Sequence, residues 1–540
     1  MVWMRRRLWS DAANGIATRE TTVDLKARLE LAGAGLLAML DPDKDFMPTN
    51  GYEVAHDLGR WWDAALRLEE AIGFAIPGEL EAAALRNLQR LTDNPDRLLM
   101  NRMDIPWLRE KAKVNPHDFR ETLLAFGGLV RRRRSVWARD CALQLVGSMS
   151  RILQDDGRLD CTKLGSWGRV PGTQDPSHAE AKRGEWFDGT ATSGRALEAL
   201  VWLFEATGDS SVWELARRLA AHHLAYSTNR DGSVRAEIVD SENIGHDHSY
   251  LGTLRGLLLF GLTAGEREYV DTVEATYRNA VRCRIVKESG WAPHDLGKLR
   301  FPNAHGDPVT DPASAGDSAQ LALWLALHAS CDDLLDDVER LVRARLLPAQ
   351  MTDDDIRSHP ERTFAPRQRG AWCIHGPSHA GKGCTPDVHA AVIHTLCDIH
   401  SHILTHTPAG LRVNLHFDAE NEAVKVVATR TREARLTVTV RRPEPVCIRL
   451  PGWASESSIR LAVDGVSQPL RRTGAFAWVP ADVLRVGSMV ELCHDLPERH
   501  TEETMPSGRR YRFRWRGDEI TGTDPQDEGL PFYPAARADD

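Results

Sequence analysis

The sequence predicts a mainly α protein, an (α/α)6 barrel followed by a C-terminal antiparallel β-sandwich. Three observations lead there. Helical periodicity runs through roughly the first 405 residues in about a dozen segments, nearly without strand signals. Alternate segments begin near Ala55, His117, Thr190, His248, Ala313 and Thr385. Their spacing of about sixty to seventy residues is one helical hairpin plus a loop. At Leu411 the period changes abruptly to two, in Leu411-Arg-Val-Asn-Leu-His-Phe417.

The helical segments, in order, are Thr22–Leu40, Ala55–Ile72, Glu79–Leu91, His117–Leu129, Ser135–Leu153 and Thr190–Thr207. They continue as Ser211–Tyr226, His248–Leu262, Glu266–Ile285, Ala313–His328, Asp332–Leu347 and Thr385–His406. Six such hairpins close into a double ring. Ser211-Val-Trp-Glu214 reads as a capping box after the Gly208-Asp209 turn. The last helix opens at Cys384-Thr385-Pro386-Asp387: a cap residue, a proline suited to the first turn, and an acid at the positive helix end. Pro408-Ala-Gly410 stops it. Short alternating or β-branched runs follow at Ala423–Thr431, Arg435–Arg441, Val446–Pro451, Ser458–Val463, Ala475–Val479, Met489–Cys493 and Arg510–Trp515. Pro451-Gly452, Asp464-Gly465 and Val486-Gly487 punctuate them as turns. The predicted organisation is therefore a barrel over 1–408, a sandwich over 409–522, and a loosely ordered tail over 523–540, rich in Asp, Pro and Gly.

Composition narrows the class. A chain of 540 residues is too long for one simple core, which also argues for two domains. A formal net charge of -9 argues against a nucleic-acid partner, and the one basic run, Arg131 to Arg134, reads as a solvated helix edge. No apolar run is long enough to span a membrane, and the first thirty residues lack the apolar stretch of a secretory signal. Nine scattered cysteines, an odd number with no Cys-x-x-Cys pair, suit a reducing compartment, so a cytoplasmic location is expected.

Polar groups gather at the entry of each alternate helix: His56-Asp57 with Arg60, His117 with Arg120-Glu121, and Glu185 and Asp188 with Arg195. His246-Asp247-His248, then Asp311 and Asp317, then His375, His379 and Cys384 complete the set. A ring of inner helices brings these ends to one mouth, where helix N-termini favour anionic groups. Singly, each reads as a cap or a loop residue. His389, His394, His400, His402 and His406 are spread along one helix and read as a solvated face.

At this point the chain resembles glycoside hydrolase family 127, the β-L-arabinofuranosidases. Cys447-Ile-Arg-Leu-Pro-Gly-Trp453, then Ile459–Gly465 and Val486-Gly-Ser-Met-Val-Glu-Leu492, resemble that family's R-I-P-x-W, V-N-G and G-D-x-V-x-L. Leu335-Asp-Asp-Val-Glu-Arg340 resembles its D-x-x-E-R helix, and Gly383-Cys384-Thr385-Pro386 its C-C-P. Gly245-His246 with Arg255-Gly256 resembles its G-H-A-x-R segment loosely. The resemblance implies a zinc held by one Glu and three Cys, one of them the nucleophile, with a further Glu as acid and base. The first cysteine of the pair falls on Cys384, the second on Thr385, and the E-T-C triplet near Gly316-Asp317-Ser318. With those ligands largely replaced, no cofactor is assigned. Asp295, in Trp291-Ala-Pro-His-Asp-Leu-Gly297, lies in the region of the acid/base.

Glycoside cleavage needs a protonated acid at the leaving oxygen and a nucleophile or base opposite. The candidate catalytic residues are Cys384, Asp295 and Asp317. The candidate substrate-binding residues are Asp57, His117, Glu185, Asp188, His246, His248 and His375, with Trp186 and Phe187 beside the acids as a surface for a sugar ring. The expected activity is hydrolysis of a glycosidic bond in a short oligosaccharide or glycoside, L-arabinofuranoside-like, retaining if Cys384 attacks. Two other readings stay open: a degenerate barrel that binds carbohydrate without cleaving it, and a lyase or epimerase, which (α/α) barrels also host. The expected partner is a small carbohydrate, and a homodimer is compatible with the sequence.

Overall fold

A computed structural model describes residues 21–22, 24–48, 54–100, 117–159, 194–240, 245–299, 302–353, 368–374, 385–527, 529–530 and 532–534. Among these are twelve α-helices: α1 (Leu25–Ala38), α2 (Val54–Ile72), α3 (Gly78–Leu91), α4 (Asp118–Arg133), α5 (Val136–Ile152), α6 (Ala196–Thr207), α7 (Ser210–Tyr226), α8 (Asp247–Ala264), α9 (Arg267–Thr276), α10 (Pro312–His328), α11 (Leu335–Leu341) and α12 (Pro386–Ser401). The even-numbered helices each pack on the next, and α12 packs on α2 and closes the ring. The odd-numbered ones from α3 to α11 lie on the preceding inner helix, and α1 lies against α12 and α2. This is the predicted double ring.

Burial separates the two rings as the sequence pattern requires. Inner α10 is buried at every position from Pro312 to Ala326, whereas outer α7 buries one stripe that includes Val212, Leu215, Ala216, Leu219 and Ala220. Inner helices approach closely where glycine allows it. A Cβ on Gly59 of α2 would stand 2.8 Å from the Glu121 Cβ of α4, and one on Gly256 of α8 2.5 Å from the Leu197 Cβ of α6.

The C-terminal part holds two facing sheets and a third. The first sheet orders Thr21–Thr22, Val424–Arg430, Glu433–Val440, Met489–Asp495, Arg460–Val463 and Val466–Gln468, with Ala419–Glu420 beside Val424–Arg430. The second orders Arg472–Thr473, Phe476–Val479, Val446–Arg449, Gly410–Val413 and Leu404–Thr407. All pairs are antiparallel except Gly410–Val413 with Val446–Arg449. Alternate residues such as Val424, Val426, Leu436, Val438, Ile448, Val490 and Leu492 fill the shared core. A three-stranded sheet, Glu498–Thr504, Arg510–Arg516 and Glu519–Asp524, completes it.

Several sequence expectations need correction. The last helix ends at Ser401 rather than His406, because Leu404–Thr407 leaves it to form a hairpin with Gly410–Val413. The histidines of α12 are not a solvated face. His389 and His394 are buried, since an inner helix has neighbours on every side; His389 Nε2 meets the Ala32 carbonyl at 2.9 Å and His394 Nδ1 meets Asp63 at 2.6 Å. The cap of α7 is Asp209, whose carboxylate accepts from Ser211 N–H, in place of the Ser211 box. Cys373 is disulfide-bonded, although the scattered cysteines suggested a reducing compartment, while Cys141, Cys283, Cys331, Cys397, Cys447 and Cys493 are free. The tail is anchored where it is described: Leu530, Phe532 and Tyr533 are buried.

The barrel and the sandwich meet at α11. Arg449 of the sandwich gives its guanidinium to both Asp336 and Glu339, and donates from Nε to the Asn414 carbonyl at 2.7 Å. Glu339 also takes Arg343 at 2.9 Å and the His416 backbone N–H at 3.1 Å. The two segments that most resemble family motifs are thus the two halves of the domain joint.

Candidate active site at the inner-helix N-termini

The barrel orientation follows from the ring: all six inner helices begin at one mouth, and their first turns carry the charged groups. A buried ionic layer lies just beneath. Arg120 of α4 donates from Nε to Glu198 of α6 at 2.6 Å and from Nη1 to Glu121 at 3.2 Å. Glu121 also takes Arg60 of α2 at 3.0 Å and Arg195, the α6 cap residue, at 3.0 Å. Arg255 of α8 reaches Glu198 and Asp317 of α10, each at 3.2 Å. Burial works against the charge of Glu121, but Arg60 and Arg120 overcome it and hold the carboxyl well below its usual range. Removing one member of such a buried set leaves an uncompensated charge.

His248 is tied into this layer at both ring nitrogens. Nδ1 meets Asp317 Oδ2, while Nε2 meets Arg60 at 2.8 Å and Arg195 at 3.4 Å. An arginine can only donate, so Nε2 accepts and the proton sits on Nδ1. Burial, then Arg195 and Arg60, hold His248 well below the usual histidine range, so it is neutral near pH 7. Asp317 is correspondingly occupied by His248 and Arg255.

Above this layer lies the mouth. His117 stacks near His246 at 6.2 Å between ring centroids and meets Arg195 at 3.3 Å. His246 lies 4.6 Å from the His294 ring and bonds Ser249 Oγ through Nδ1 at 2.8 Å. Asp295 is paired with His294 Nδ1 at 2.9 Å and bridges backbone to backbone with His246. Asp247 is fully buried beneath them. Neither of its oxygens has a hydrogen-bond partner, and the Ser314 hydroxyl lies beside it without closing a bond of good geometry. Burial first, then Asp311, Asp317 and Asp295, push its carboxyl well above the usual range. Asp311 caps α10 through Ala313 N–H at 2.8 Å.

Of the sequence-predicted residues, His117, His246, His248, Asp295 and Asp317 therefore lie together. Asp57 is buried in the first turn of α2, next to His56, whose ring is 6.3 Å from His117. Glu185, Asp188, His375 and Cys384 lie outside the described residues. Glu198 and Arg255 were not singled out as site residues. Their signal is a lone charge inside an apolar helical run, Ala196-Leu-Glu-Ala-Leu200 and Leu254-Arg-Gly-Leu257, which on a buried helix demands a partner.

A zinc held by the positions that the family resemblance implies does not fit. Thr385 and Ser318 offer hydroxyls, and Asp317 is spent on His248 and Arg255. Among the described residues, His246, His294 and Asp311 are a set that could hold a metal ion, with one ligand atom from each within 4.8 Å of the others.

A separate cavity of about 460 Å³ opens at the opposite end of the barrel, lined by Arg67, Trp202, Trp324, Asp398 and His402 among others. It contains none of the predicted site residues. No helix among the described residues is long and apolar enough to cross a membrane.

No model of a known family matches the sequence, and no curated protein matches it. Solved structures do match in fold. A GH127 β-L-arabinofuranosidase from Geobacillus stearothermophilus T6 superposes with a TM-score of 0.58 at 15% identity, over 93% of this chain and 86% of that one. A second GH127 β-arabinofuranosidase gives 0.59 at 13% identity, over 93% and 84%. A structure described as a glycoside hydrolase gives 0.57 at 14%, over 93% and 81%. At such identity the likeness is one of fold, and it extends over nearly the whole of this chain.

Proposed function

We propose that this protein hydrolyses a glycosidic bond of a short oligosaccharide or glycoside, L-arabinofuranoside-like in its sugar, at the mouth where the inner helices begin. One observation carries the reading. The loop residue Asp295 is held against His246 and His294 at the mouth of a barrel whose structural neighbours are glycoside hydrolases. In this reading Asp295 is the acid and base at the glycosidic oxygen. His117 holds sugar hydroxyls, and His246 lines the same wall of the mouth. His248, Asp317 and the arginines beneath keep the floor rigid and charged without touching the reacting bond. Cys384, two residues before Pro386 in the sequence, is the proposed nucleophile in its reduced form, since a helix N-terminus stabilises a thiolate.

The test is a panel of 4-nitrophenyl glycosides that includes both anomers of L-arabinofuranose. Turnover by the wild type, abolished in Asp295→Asn with the sugar still bound, supports the proposal. Binding without turnover across the panel supports the second reading, a barrel that holds carbohydrate without cleaving it. The replacement of the family's zinc ligands by Thr385 and Ser318 favours that second reading.

A further inference from the structure

We infer that His246, His294 and Asp311 form a binding site for a divalent cation of the zinc class at the floor of this mouth. A ring nitrogen from each histidine and a carboxylate oxygen of Asp311 lie within 4.8 Å of one another. Around a tetrahedral zinc with bonds of about 2.0–2.2 Å, ligand atoms stand roughly 3.5 Å apart. A shift of about an ångström at the side-chain tips therefore closes the set.

The backbone already locks the three residues together. His246 occupies the N-cap position of α8 and Asp311 caps α10, with His294 on the loop between. Asp247 N–H donates to the His294 carbonyl at 3.1 Å, His294 N–H to the Val309 carbonyl at 2.8 Å, and Asp311 N–H to the Ala292 carbonyl at 2.9 Å. Side chains are oriented in the same sense. Nδ1 of His246 bonds Ser249 Oγ and Nδ1 of His294 meets Asp295, so both rings are held in place beside Asp311. A carboxylate behind a metal-bound histidine is the usual way of fixing its orientation. One oxygen of Asp311 caps Ala313, and the other is the ligand.

Carboxyls crowd around the triad. Asp247 is fully buried, with the Ser314 hydroxyl beside it and Asp311, Asp317 and Asp295 as neighbouring carboxyls. A divalent cation beside Asp311 offsets that crowding of carboxyls. The donor set names the class of ion. Two imidazoles with one carboxylate suit zinc and its neighbours, whereas magnesium and calcium prefer oxygen alone. No thiol is required, so the site is distinct from one built on cysteine. It stands whether or not a glycoside is cleaved, because metal is counted without any substrate.

The experiment strips the full-length protein with a chelator, removes the chelator, and titrates zinc. The expected result is one equivalent bound per chain, with affinity at least tenfold weaker in His294→Ala and in Asp311→Asn, which retains a capping side chain. His402→Ala, at the far end of the barrel, should bind as the wild type does. Because a misfolded variant would also lose metal, X-ray absorption on the wild-type zinc protein gives a separate reading. A shell of nitrogen and oxygen with two imidazoles is expected. A sulfur-dominated shell, or no stoichiometric uptake by the folded wild type, overturns the inference.

Discussion

Arg449 of the sandwich and Glu339 of α11 form a buried ion pair across the domain joint, each almost fully shielded from solvent. Asp336 takes the same guanidinium, and Arg343 holds the same glutamate. Burial opposes the charge on Glu339, but Arg343 and Arg449 outweigh it and hold the carboxyl well below its usual range. Breaking one partner of such a pair costs about 3–5 kcal/mol, because the other charge stays buried. Arg449→Ala is expected to lose stability of that order in chemical denaturation. A depressed folded value means that the Glu339 contribution is fully present above the unfolded value of about 4.3 and is lost as pH falls toward the folded one. The wild type should therefore lose stability on acidification more steeply than Glu339→Gln. Equal slopes would mean that the pair does not carry the joint.

Asp295→Asn should lower kcat on a turned-over glycoside by roughly 10²–10⁴-fold, the usual worth of a positioned acid and base. Its melting temperature should change little, because Asp295 sits on a loop above the ionic layer rather than within it. Asp317→Asn should behave in the opposite way, since it deprives Arg255 and His248 of their shared carboxylate. Denaturation midpoints and kcat measured on both variants separate the two roles. A stable, inactive Asp317→Asn would transfer the chemistry to that residue.

The barrel was legible because hairpin spacing is a property of chain length and helical period. The predicted starts near Ala55, His117, His248, Ala313 and Thr385 fall within a residue or so of the helices found. The start near Thr190 lies outside the described residues, and α6 is described from Ala196. The nearness of His117, His246, His248, Asp295 and Asp317 was legible for a related reason: polar residues at helix entries recur in phase with the hairpins. Pairing was not legible. Nothing in the sequence says that Arg60 reaches His248, 188 positions away, or that Glu198 receives arginines from both α4 and α8. His389 and His394 were misread because a one-dimensional pattern cannot tell an inner helix, buried on all sides, from an amphipathic outer one. Asp336, Glu339 and Arg449 stood out as motifs, yet they serve the joint and not the mouth.

Gly59→Ala tests the close packing of the inner ring. The added methyl would stand 2.8 Å from the Glu121 backbone oxygen and Cβ, so α2 and α4 must separate. Overpacking of this kind costs about 1–3 kcal/mol. The same shift moves Glu121 away from Arg60, which adds to the loss. Gly128→Ala on α4 is the control: its added methyl would meet only the flexible Leu66 side-chain tip, and a smaller effect is expected. Comparable losses in the two variants would show that the ring tolerates the wider spacing.

The final segment ties the sandwich to the loop that carries His294 and Asp295. The Tyr533 hydroxyl donates to the Ser289 carbonyl at 3.1 Å, two residues before Trp291. Tyr533 and Leu530 pack in one cluster with Trp291, Ala344, Tyr511, Phe513 and Trp515. Arg345 is buried beside them with no hydrogen-bond partner for any of its three nitrogens, and its guanidinium lies 5.6 Å from the Tyr533 ring centroid and 5.7 Å from that of Phe532. Aromatic faces are the support that this cation has on that side. A chain ending at residue 528 removes Leu530, Phe532 and Tyr533 together. Loss of one buried aromatic costs about 3–5 kcal/mol, so the truncated protein should melt well below the full-length one. Hydrogen exchange should rise at residues 289–297, because that loop loses its outer wall and the Tyr533 bond. Tyr533→Phe isolates the hydroxyl: a loss of about 1 kcal/mol is expected with the packing kept. A loosely ordered tail, as its composition suggests, would leave the melting temperature and the exchange of that loop unchanged.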